Sequence, residues 1–259
     1  MNPGRVNLDT PLPAGTRLVT LAERPDLVVP VGRHNGAVWP VFMLQDPVAD
    51  RLWHYLDEEF AASQLVLLDQ GDAIVAAANS APLAWDGTPD GLPAGWDDQF
   101  ERTVTGLLEG TEPNTLGALQ IVVAPGHQGA GISSLMLGAL LAQARRAGYG
   151  AVIACVRPNQ KHRYPLLDMA AYVAWRRADG LPVDAWLRVH ARVGGEIVRV
   201  APDSMTISGS LAEWANWTGL GFPTSGPYIV EGALEPVQVD VAADRATYHD
   251  ANVWVVHRL

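Results

Sequence analysis

The sequence contains one cysteine and one lysine, so neither residue type can build a site with several members. Because Cys155 stands alone, an internal disulfide and a site of several thiolates are both excluded. It lies within the apolar run AVIACV, which is typical of a small buried residue in a strand and not of an accessible reactive thiol. Lys161 is the single lysine among 18 basic residues, and no mechanism follows from that bias.

Long apolar segments and excess positive charge are missing as well. No apolar run reaches the roughly 18–20 residues that a membrane-spanning helix needs, and residues 1–18 lack the apolar centre of a signal peptide. The net charge is −10, whereas nucleic-acid binders normally carry a basic surface. We therefore expect a cytoplasmic protein that binds neither membranes nor nucleic acid, with a weak preference for cationic or neutral ligands.

The sequence does have the composition of a globular protein. Of its 259 residues, 48% are hydrophobic and 18% are charged, which is enough to bury a substantial core. Helical and strand-like apolar patterns alternate along the chain, and no repeat or low-complexity linker interrupts them. This order indicates a mixed α/β fold in a single domain over 1–259, with insertions at about 80–115 and 160–250.

Local patterns place several elements in the first half. Apolar residues at helical spacing predict a helix over 46–63, with Asp46 as its N-cap. Two apolar runs around DQGD predict a hairpin, and a segment rich in Pro and Gly predicts a loop over 82–96. An amphipathic helix over 97–110 is expected to follow it, ending at a glycine.

One segment joins a strand, a glycine-rich turn and a helix without any spacer. The run LQIVVAP ends at Pro125, three glycines follow within six residues, and a helical pattern runs from Ile132 to Ala147. The first N–H groups of a helix have no acceptor inside the helix and carry the positive end of its dipole. Such a turn is suited to holding phosphate oxygens.

Two common phosphate-binding turns do not fit this segment. A P-loop needs a lysine directly after its last glycine, and none is present. A dinucleotide-binding turn has the spacing G-x-G-x-x-G, whereas the order from Gly126 to Gly131 is G-x-x-G-x-G. The phosphate ligand is therefore expected to belong to another class.

The segment resembles the acyl-CoA signature of the Gcn5-related N-acetyltransferases, Gln/Arg-x-x-Gly-x-Gly/Ala. Gln128, Gly131 and Ser133 occupy its three defined positions, although Ser133 departs from the usual Gly or Ala. The preceding LQIVVAP is similar to the family's fourth strand, and AVIACVRPN is similar to its fifth. The specific resemblance covers roughly residues 115–159.

The resemblance implies an acyl-CoA N-acyltransferase-like fold: a mixed, mostly antiparallel sheet, flanked by helices, in which strands four and five splay apart. It also implies a coenzyme site along the turn and strand four. For the pyrophosphate, the implied donors are the backbone N–H groups of Gln128, Gly129, Ala130, Gly131, Ile132 and Ser133. For the pantetheine arm, the implied partners are the backbones of Ile121, Val122 and Val123, and the thioester carbonyl is expected near an N–H of the same strand.

The segment after strand five offers further coenzyme contacts. Asn159 matches a position where the family often has an asparagine that contacts the coenzyme. A basic cluster surrounds it, made of Arg157, Lys161, His162 and Arg163. This cluster could meet the phosphates of CoA, or it could be a solvated basic loop.

The activity implied by the resemblance is direct transfer of an acetyl group from acetyl-CoA, or from a somewhat larger acyl-CoA, to a primary amine of a small molecule. No metal and no covalent enzyme intermediate are needed, because the thioester is already activated. A base has to take a proton from the amine, and an acid has to protonate the departing thiolate. A homodimer is left open.

Candidates for these proton transfers are weaker than the coenzyme turn. His190 occupies the position where the family often has a tyrosine that acts as the general acid. Tyr172 and Tyr164 are alternative candidates for this role. Where some members carry a glutamate on strand four, this chain has Gln120. Glu112, upstream of that strand, is then the candidate base, with Asp86 in the preceding loop as an alternative. Each of them is more typical of a solvated surface carboxylate.

Two readings other than catalysis stay open. Without an acid on strand four and with a histidine in place of the tyrosine, the chain could bind acyl-CoA as a sensor or interaction module. It could also bind another nucleotide through its phosphates. The nine tryptophans are compatible with an acceptor pocket or with ordinary core packing. The candidates for such a pocket are Trp39, Trp53, Trp85, Trp96, Trp214 and Trp217.

Overall fold

The computed structural model describes residues 11–259. The expectation about a signal peptide falls largely on residues 1–10, which lie outside the described part. Nine strands form one sheet among the described residues. They are β1 (Arg17–Thr20), β2 (Leu65–Leu68), β3 (Ile74–Leu83), β4 (Thr115–Val123), β5 (Ala151–Val156), β6 (Glu196–Gly209), β7 (Gly226–Tyr228), β8 (Val237–Asp240) and β9 (Arg245–Arg258).

Eight α-helices surround this sheet in the described range, together with five short 3-10 turns. The helices are α1 (Val28–Gly36), α2 (Pro47–Leu52), α3 (His54–Asp57), α4 (Trp96–Glu109), α5 (Ile132–Arg146), α6 (Met169–Ala174), α7 (Ala185–Arg192) and α8 (Leu211–Thr218). None of them combines the length and the apolarity that crossing a bilayer requires.

The sheet is mostly antiparallel, with the order β1-β2-β3-β4-β5-β9-β8-β7 and with β6 on β9. Of the described pairs, β4 with β5 is parallel, and it extends only from Thr115 opposite Ala151 to Ala118 opposite Ala154. Beyond these residues β4 continues to Val123 without β5, while β5 stays paired with β9. The predicted mixed sheet with strands four and five splayed apart is therefore confirmed.

The two faces of the sheet carry separate cores. On one face α5 packs against residues such as Val152, Ala154 and Val156. On the other face the segments around α2, α4 and α8 pack against residues such as Ile153 and Cys155. Side chains of a strand alternate between the two faces. The core to which a strand residue belongs therefore shows on which face of the sheet its side chain lies.

The helix predicted over 46–63 is wrong as a single element. Asp46 is the N-cap, and its carboxylate accepts the N–H groups of Val48 and Ala49, but the segment divides into α2, α3 and a 3-10 turn. The chain leaves the helical region at Glu58, where φ is −110° and ψ is −87°. Leu56 and Phe60 are both buried, so the broken path serves to bring them onto the sheet.

Three other predicted elements agree with the structure, and one helix was not predicted. The hairpin of β2 and β3, the loop before α4, and α4 itself lie where the patterns placed them. No helix was predicted over Val28–Gly36, because Pro30 and two glycines depress the helical signal there. The description as one domain with insertions at about 80–115 and 160–250 stays a prediction.

Candidate functional site

A cavity of about 850 Å³ passes through the split between β4 and β5. On the face that carries α5, it is lined by the glycine turn, by Ser133 and by His190 of α7. On the opposite face, it is lined by the segment after α1 and by α2. The cavity therefore connects the two sides of the sheet at the one place where described neighbouring strands separate.

The glycine turn leaves the N-terminus of α5 open. Gly129 and Gly131 adopt positive φ values of 78° and 79°, which glycine tolerates without steric cost. Gly131 is the N-cap and supplies no side-chain acceptor, and the first turn of the 15-residue helix carries no acidic residue. A Cβ added at either glycine would meet open space. The unpaired N–H groups therefore face an accessible, electrically positive pocket.

The backbone of β4 alternates between β3 and the split. Ala124 donates its N–H to Val75 O at 2.9 Å, and in an antiparallel pair every second residue faces the same neighbour. Val122 therefore points to β3, while Ile121 and Val123 point to the opening. Val123 O confirms this direction, because Gln128 Nε2 donates to it at 3.3 Å.

Of the three residues predicted to pair with the pantetheine arm, Ile121 and Val123 have the required direction. Val122 does not: its backbone is directed at β3, and its carbonyl also lies 3.3 Å from His34 Nε2. The reason is the two-residue alternation of a strand, which a prediction based on three consecutive residues ignored.

A bulge interrupts β4 just before the split. Asn79 pairs with Gln120 and Ser80 pairs with Ala118, so Leu119 is the extra residue, and such a residue stays outside the ladder. Its carbonyl accepts the indole N–H of Trp96 at 2.9 Å. The bulge thus re-aims backbone groups at the narrow end of the split, where an N–H was predicted to meet the thioester.

Amide side chains fill the floor of the cavity next to β4. Asn79 Oδ1 accepts from Asn35 Nδ2 at 3.0 Å and from Gln120 Nε2 at 2.9 Å. Gln120 Oε1 accepts the indole N–H of Trp39 at 3.0 Å. Asn35 Oδ1 is buried and has no donor among the described residues. The hydrogen-bond network of these amides therefore leaves one acceptor, Asn35 Oδ1, available beside the cavity.

The mouth on the face away from α5 is aromatic. Trp39, Trp53 and Trp96 line it, and the carboxylate-bearing Asp50 stands at its edge, exposed to solvent. The other tryptophans predicted for a pocket lie elsewhere. Trp85 and Trp214 belong to the core, and Trp217 lines a second cavity of about 500 Å³.

His190 lies in the cavity wall and is paired with a second imidazole. Its Nδ1 lies 2.9 Å from His257 Nε2, and both rings are buried. Burial, followed by the neighbouring His257, lowers the pKa of His190 to about 3, and burial lowers the pKa of His257 to about 4. At pH 7 both rings are therefore neutral, and a protonated imidazole is not the form that His190 presents.

The other proton-transfer candidates do not line the cavity. Tyr172 donates its hydroxyl to Asp184 at 3.0 Å, and burial together with that carboxylate raises the pKa of the tyrosine. Tyr164 packs against Tyr172. Glu112 is exposed before the start of β4, at the end of the strand opposite the glycine turn, and Asp86 caps its own turn at Thr88.

The basic cluster after β5 divides between the interior and the surface. Asn159 lines the cavity, as does Arg157. Lys161 is fully buried and donates to Tyr164 O at 3.0 Å and to Leu234 O at 2.7 Å. It is therefore a structural cation and not a phosphate ligand, while His162 and Arg163 are exposed.

Cys155 lines the cavity but does not behave as a nucleophile. Its Sγ lies 3.1 Å from Ser204 Oγ, and burial raises the pKa of the thiol to about 12. Because the thiolate is the reactive form, the buried strand position predicted for this residue is also an unreactive one. Within residues 11–259, no group of three or more His, Cys, Asp and Glu side chains is arranged to hold a metal ion.

A carboxyl pair, made of buried Asp46 and half-buried Asp97, lies behind the aromatic mouth. Asp46, the N-cap of α2, faces Asp97 in the first turn of α4, and Asp97 also accepts the N–H of Thr206 at 3.3 Å. Burial, then the negative charge of Asp46, raises the pKa of Asp97 to about 8. One proton shared by the two carboxyl groups follows from this arrangement.

Sequence reasoning missed the amide floor and the carboxyl pair. The amides had a signal, since Asn79 interrupts a strand of alanines in IVAAANSAPL, and a polar residue in a buried strand needs a partner. The carboxyl pair had none, because Asp46 and Asp97 are far apart in the chain and each reads as a normal helix-start residue.

Comparison with known proteins agrees with this geometry. Residues 37–169 match the family described as the acetyltransferase (GNAT) family. Over 283 aligned residues, the chain is 33% identical to the protein named arginine N-acetyltransferase avaD of Aspergillus versicolor, and the alignment covers 97% of both chains.

Solved structures share the fold at low identity. The loading GNATL domain of CurA from Lyngbya majuscula superposes with a TM-score of 0.59 at 17% identity, covering 94% of this chain and 97% of that domain. The GNAT-like decarboxylase GphF, solved with isobutyryl-CoA, gives 0.52 at 21% identity, covering 94% and 98%.

Proposed function

Because the chain belongs to the acetyltransferase (GNAT) family and is an acyl-CoA-dependent N-acetyltransferase, we propose that it acetylates a nitrogen of arginine or of a closely related cationic amino acid. The acyl donor is acetyl-CoA, and the acetyl group passes directly to the acceptor. The cytoplasmic location and the homodimer stay predictions.

The observation that carries this proposal is the cavity through the split. Coenzyme and acceptor must meet at one carbon atom while entering from different directions, and a passage open on both faces of the sheet permits this. The glycine turn stands at one mouth, and the tryptophans with Asp50 stand at the other. The two substrates are thereby assigned opposite sides.

On the coenzyme side, main-chain groups do the binding. The N–H groups at the start of α5 hold the pyrophosphate, with Gly129, Ala130, Gly131, Ile132 and Ser133 as the implied set. The N–H of Gln128, also implied by the resemblance, already donates to Pro125 O at 3.4 Å. The backbone groups of Ile121 and Val123 on β4 form hydrogen bonds with the pantetheine amides. The pantetheine arm thereby takes the place of a neighbouring strand where β5 no longer pairs with β4. Asn159 stands on the other lip of the split.

On the acceptor side, a cation is favoured. Indole faces attract cationic groups by about 0.5–2 kcal/mol, and Trp39 and Trp53 line this mouth together with Asp50. The net charge of −10 adds a long-range attraction. The relative that is 33% identical is named for arginine, a cationic amino acid.

The described residues place no titratable base on the amide floor. Asn35 and Gln120 line the cavity, and Asn35 Oδ1 can accept an N–H of the acceptor, but amides do not take up protons near neutral pH. These side chains therefore orient the nitrogen, and its proton leaves through water. Glu112 and Tyr172 do not line the cavity.

His190 is the candidate that stays next to the coenzyme. It shares the face of the sheet that carries α5, so its ring is on the side of the departing thiolate. Because its pKa is lowered to about 3, the ring acts as a neutral N–H donor, held in orientation by His257.

A panel of amines tests the proposal. Thiol release from acetyl-CoA is measured for L-arginine, L-lysine, uncharged amino acids and aromatic amines, and each product is identified by mass. We expect the highest kcat/KM for arginine or a close cationic analogue. Protection against thermal unfolding by CoA but not by ATP or NAD is expected in parallel.

Two results would contradict the proposal. Tight CoA binding without thiol release for any amine would indicate a sensor that has lost catalysis. A preference for uncharged amines over cationic ones would refute the assignment of the acceptor while leaving acetyl transfer intact.

A further inference from the structure

Arg157 occupies an unusual position at the end of β5. Its side chain is 16% exposed, Nε donates to both oxygens of Asp250 at 2.9 and 3.0 Å, and Nη2 donates to Gly232 O at 2.8 Å. The guanidinium carbon lies 5.7 Å from the ring centre of Trp39. The same side chain lines both the main cavity and the second cavity of about 500 Å³.

The guanidinium lies on the acceptor face. Val156 belongs to the core on the α5 face and Cys155 belongs to the opposite core, so alternation directs Arg157 away from α5. Trp39, which packs on the same face, touches Arg157 and donates to Gln120 across the split. Arg157 and Gln120 thus form the two lips of the acceptor mouth, with the indole spanning the gap. A phosphate held at the start of α5 would lie on the other face.

The guanidinium keeps donors that the fold does not use. Nε and Nη2 are engaged with Asp250 and Gly232, and Tyr248 also interacts with the guanidinium, but none of the hydrogen bonds described here uses Nη1, and the side chain stays 16% exposed where it lines the cavity. Asp250 also accepts from Tyr248 and from Asn252 Nδ2 at 2.7 Å. The carboxylate of Asp250 is therefore shared by three donors. The guanidinium of Arg157 is held in place, while some of its N–H groups stay available to a ligand.

We propose that Arg157 binds the carboxylate of the acceptor, so that the enzyme selects an amino acid over the amine that lacks the carboxylate. This inference rests on the proposed acylation of a cationic amino acid and adds the group that is recognised. The planar guanidinium suits a carboxylate because two N–H groups can face two oxygens. Trp39 below it and Asp250 behind it hold that plane in a fixed orientation.

The proposal assigns opposite charges of the substrate to different parts of the mouth. The carboxylate meets Arg157, and the cationic end lies toward the tryptophans and Asp50. An amine without the carboxylate keeps the second set of contacts and loses the first. Recognition should therefore appear as a ratio between matched substrates.

The first test needs only the unmodified protein. The kcat/KM values and the binding constants in the presence of CoA are measured for pairs that differ in the carboxylate: L-arginine with agmatine, L-lysine with cadaverine, and L-tryptophan with tryptamine. Argininamide, which keeps the shape but not the charge, is added. We expect the acid of the preferred pair to exceed its partner by about 10- to 100-fold, as for hydrogen bonds to charged groups.

The second test changes the guanidinium. Arg157→Gln should move the acid-to-amine ratio toward one, and Arg157→Lys, which keeps the charge but not the planar fork, should give an intermediate ratio. Arg163→Gln removes the same charge from an exposed position six residues further along the chain and should leave the ratio unchanged. Circular dichroism and the dissociation constant for acetyl-CoA report whether each variant is folded.

The outcomes separate the inference from the function on which it rests. If no acid in any pair exceeds its amine in the unmodified protein, the inference is overturned, even if cationic amines are acetylated well. If Arg157→Gln weakens acid and amine equally, Arg157 is only structural. If tryptophan exceeds tryptamine while arginine is inert, the carboxylate contact stands and the arginine assignment fails.

Discussion

The protonation states of single residues in this site depend more on burial than on the residue type. Buried Lys161 holds two carbonyl groups, His190 is a neutral ring, and Cys155 is an unreactive thiol. Burial disfavours the charged form of each group, which lowers the pKa of Lys161 and His190 and raises that of Cys155. The carboxyl pair of Asp46 and Asp97 shows the same effect in a form that can be measured.

Asp97 makes stability depend on pH. Burial and Asp46 raise its pKa to about 8, so between about pH 4 and pH 8 the folded state holds a proton that the unfolded state has released. Stability therefore falls as pH rises through this window. Asp97→Asn keeps an acceptor for Thr206 N–H and donates to Asp46, so the variant should lose this dependence.

The expected change in Tm is calculated from the smallest pKa difference that we assign to Asp97, one unit. Even one unit of pKa difference is worth about 1.4 kcal/mol, and about 1 kcal/mol moves Tm by about 2–4 °C in a chain of this size. We expect Asp97→Asn to gain at least about 3 °C over the unmodified protein between pH 5 and pH 8. Asp98→Asn, one residue on, is the control and should show no such gain; parallel Tm curves for Asp97→Asn and the unmodified protein would refute the shared proton.

At the scale of elements, two features meet at the coenzyme: the start of α5 and the free edge of β4. We propose the helix start as an anion site because no side chain of the described residues caps it, and the edge of β4 as a binding site because its pairing with β5 ends at Ala154. The two can be tested separately.

Ser133→Glu places a carboxylate in the first turn of α5. A helix start without a ligand is stabilised by such a charge, by about 0.3–1 kcal/mol, whereas bound phosphate is repelled by it. We therefore expect Tm without ligand to stay equal or rise slightly, while the dissociation constant for acetyl-CoA measured by calorimetry rises at least about tenfold. Gln238→Glu adds the same charge on exposed β8 and should leave affinity unchanged, and equal affinity in both variants would argue against phosphate at α5.

Ile121→Pro and Val122→Pro distinguish the two sides of β4. Proline removes the N–H, which faces the split at Ile121 and faces β3 at Val122. We expect Val122→Pro to lower Tm more, because it breaks a ladder bond. Ile121→Pro should weaken acetyl-CoA binding by about 3- to 10-fold, the value of one hydrogen bond. If the two variants lose Tm to the same extent, or if Ile121→Pro keeps full affinity, the assigned alternation is wrong.

For the whole molecule, the fold predicted from the sequence is confirmed, and the coenzyme site at the glycine turn stays a prediction. Of the acceptor side, only the tryptophans Trp39, Trp53 and Trp96 were among the residues proposed from the sequence. The turn from Gly126 to Gly131 is local, so its chemistry can be inferred from a dozen residues. The same holds for the order of strands around it, because each is a short apolar run.

The charged groups of the acceptor side could not be predicted because they are brought together from distant segments. Arg157 meets Asp250 and Trp39 only after β5, β9 and the segment following α1 come together. Likewise the helix expected over 46–63 breaks so that Phe60 reaches the core, which no local pattern encodes. Tertiary contacts decide such positions, and propensity is only a weak prior for them.

The most direct test of the central claim is a crystal structure with acetyl-CoA bound. The account predicts pyrophosphate oxygens within hydrogen-bond distance of backbone N–H groups between Gly129 and Ser133, and pantetheine amides paired with Ile121 and Val123. The thioester should lie inside the split, below the mouth formed by Gln120 and Arg157. A coenzyme bound elsewhere, with the start of α5 covered by side chains and the split closed, would contradict it.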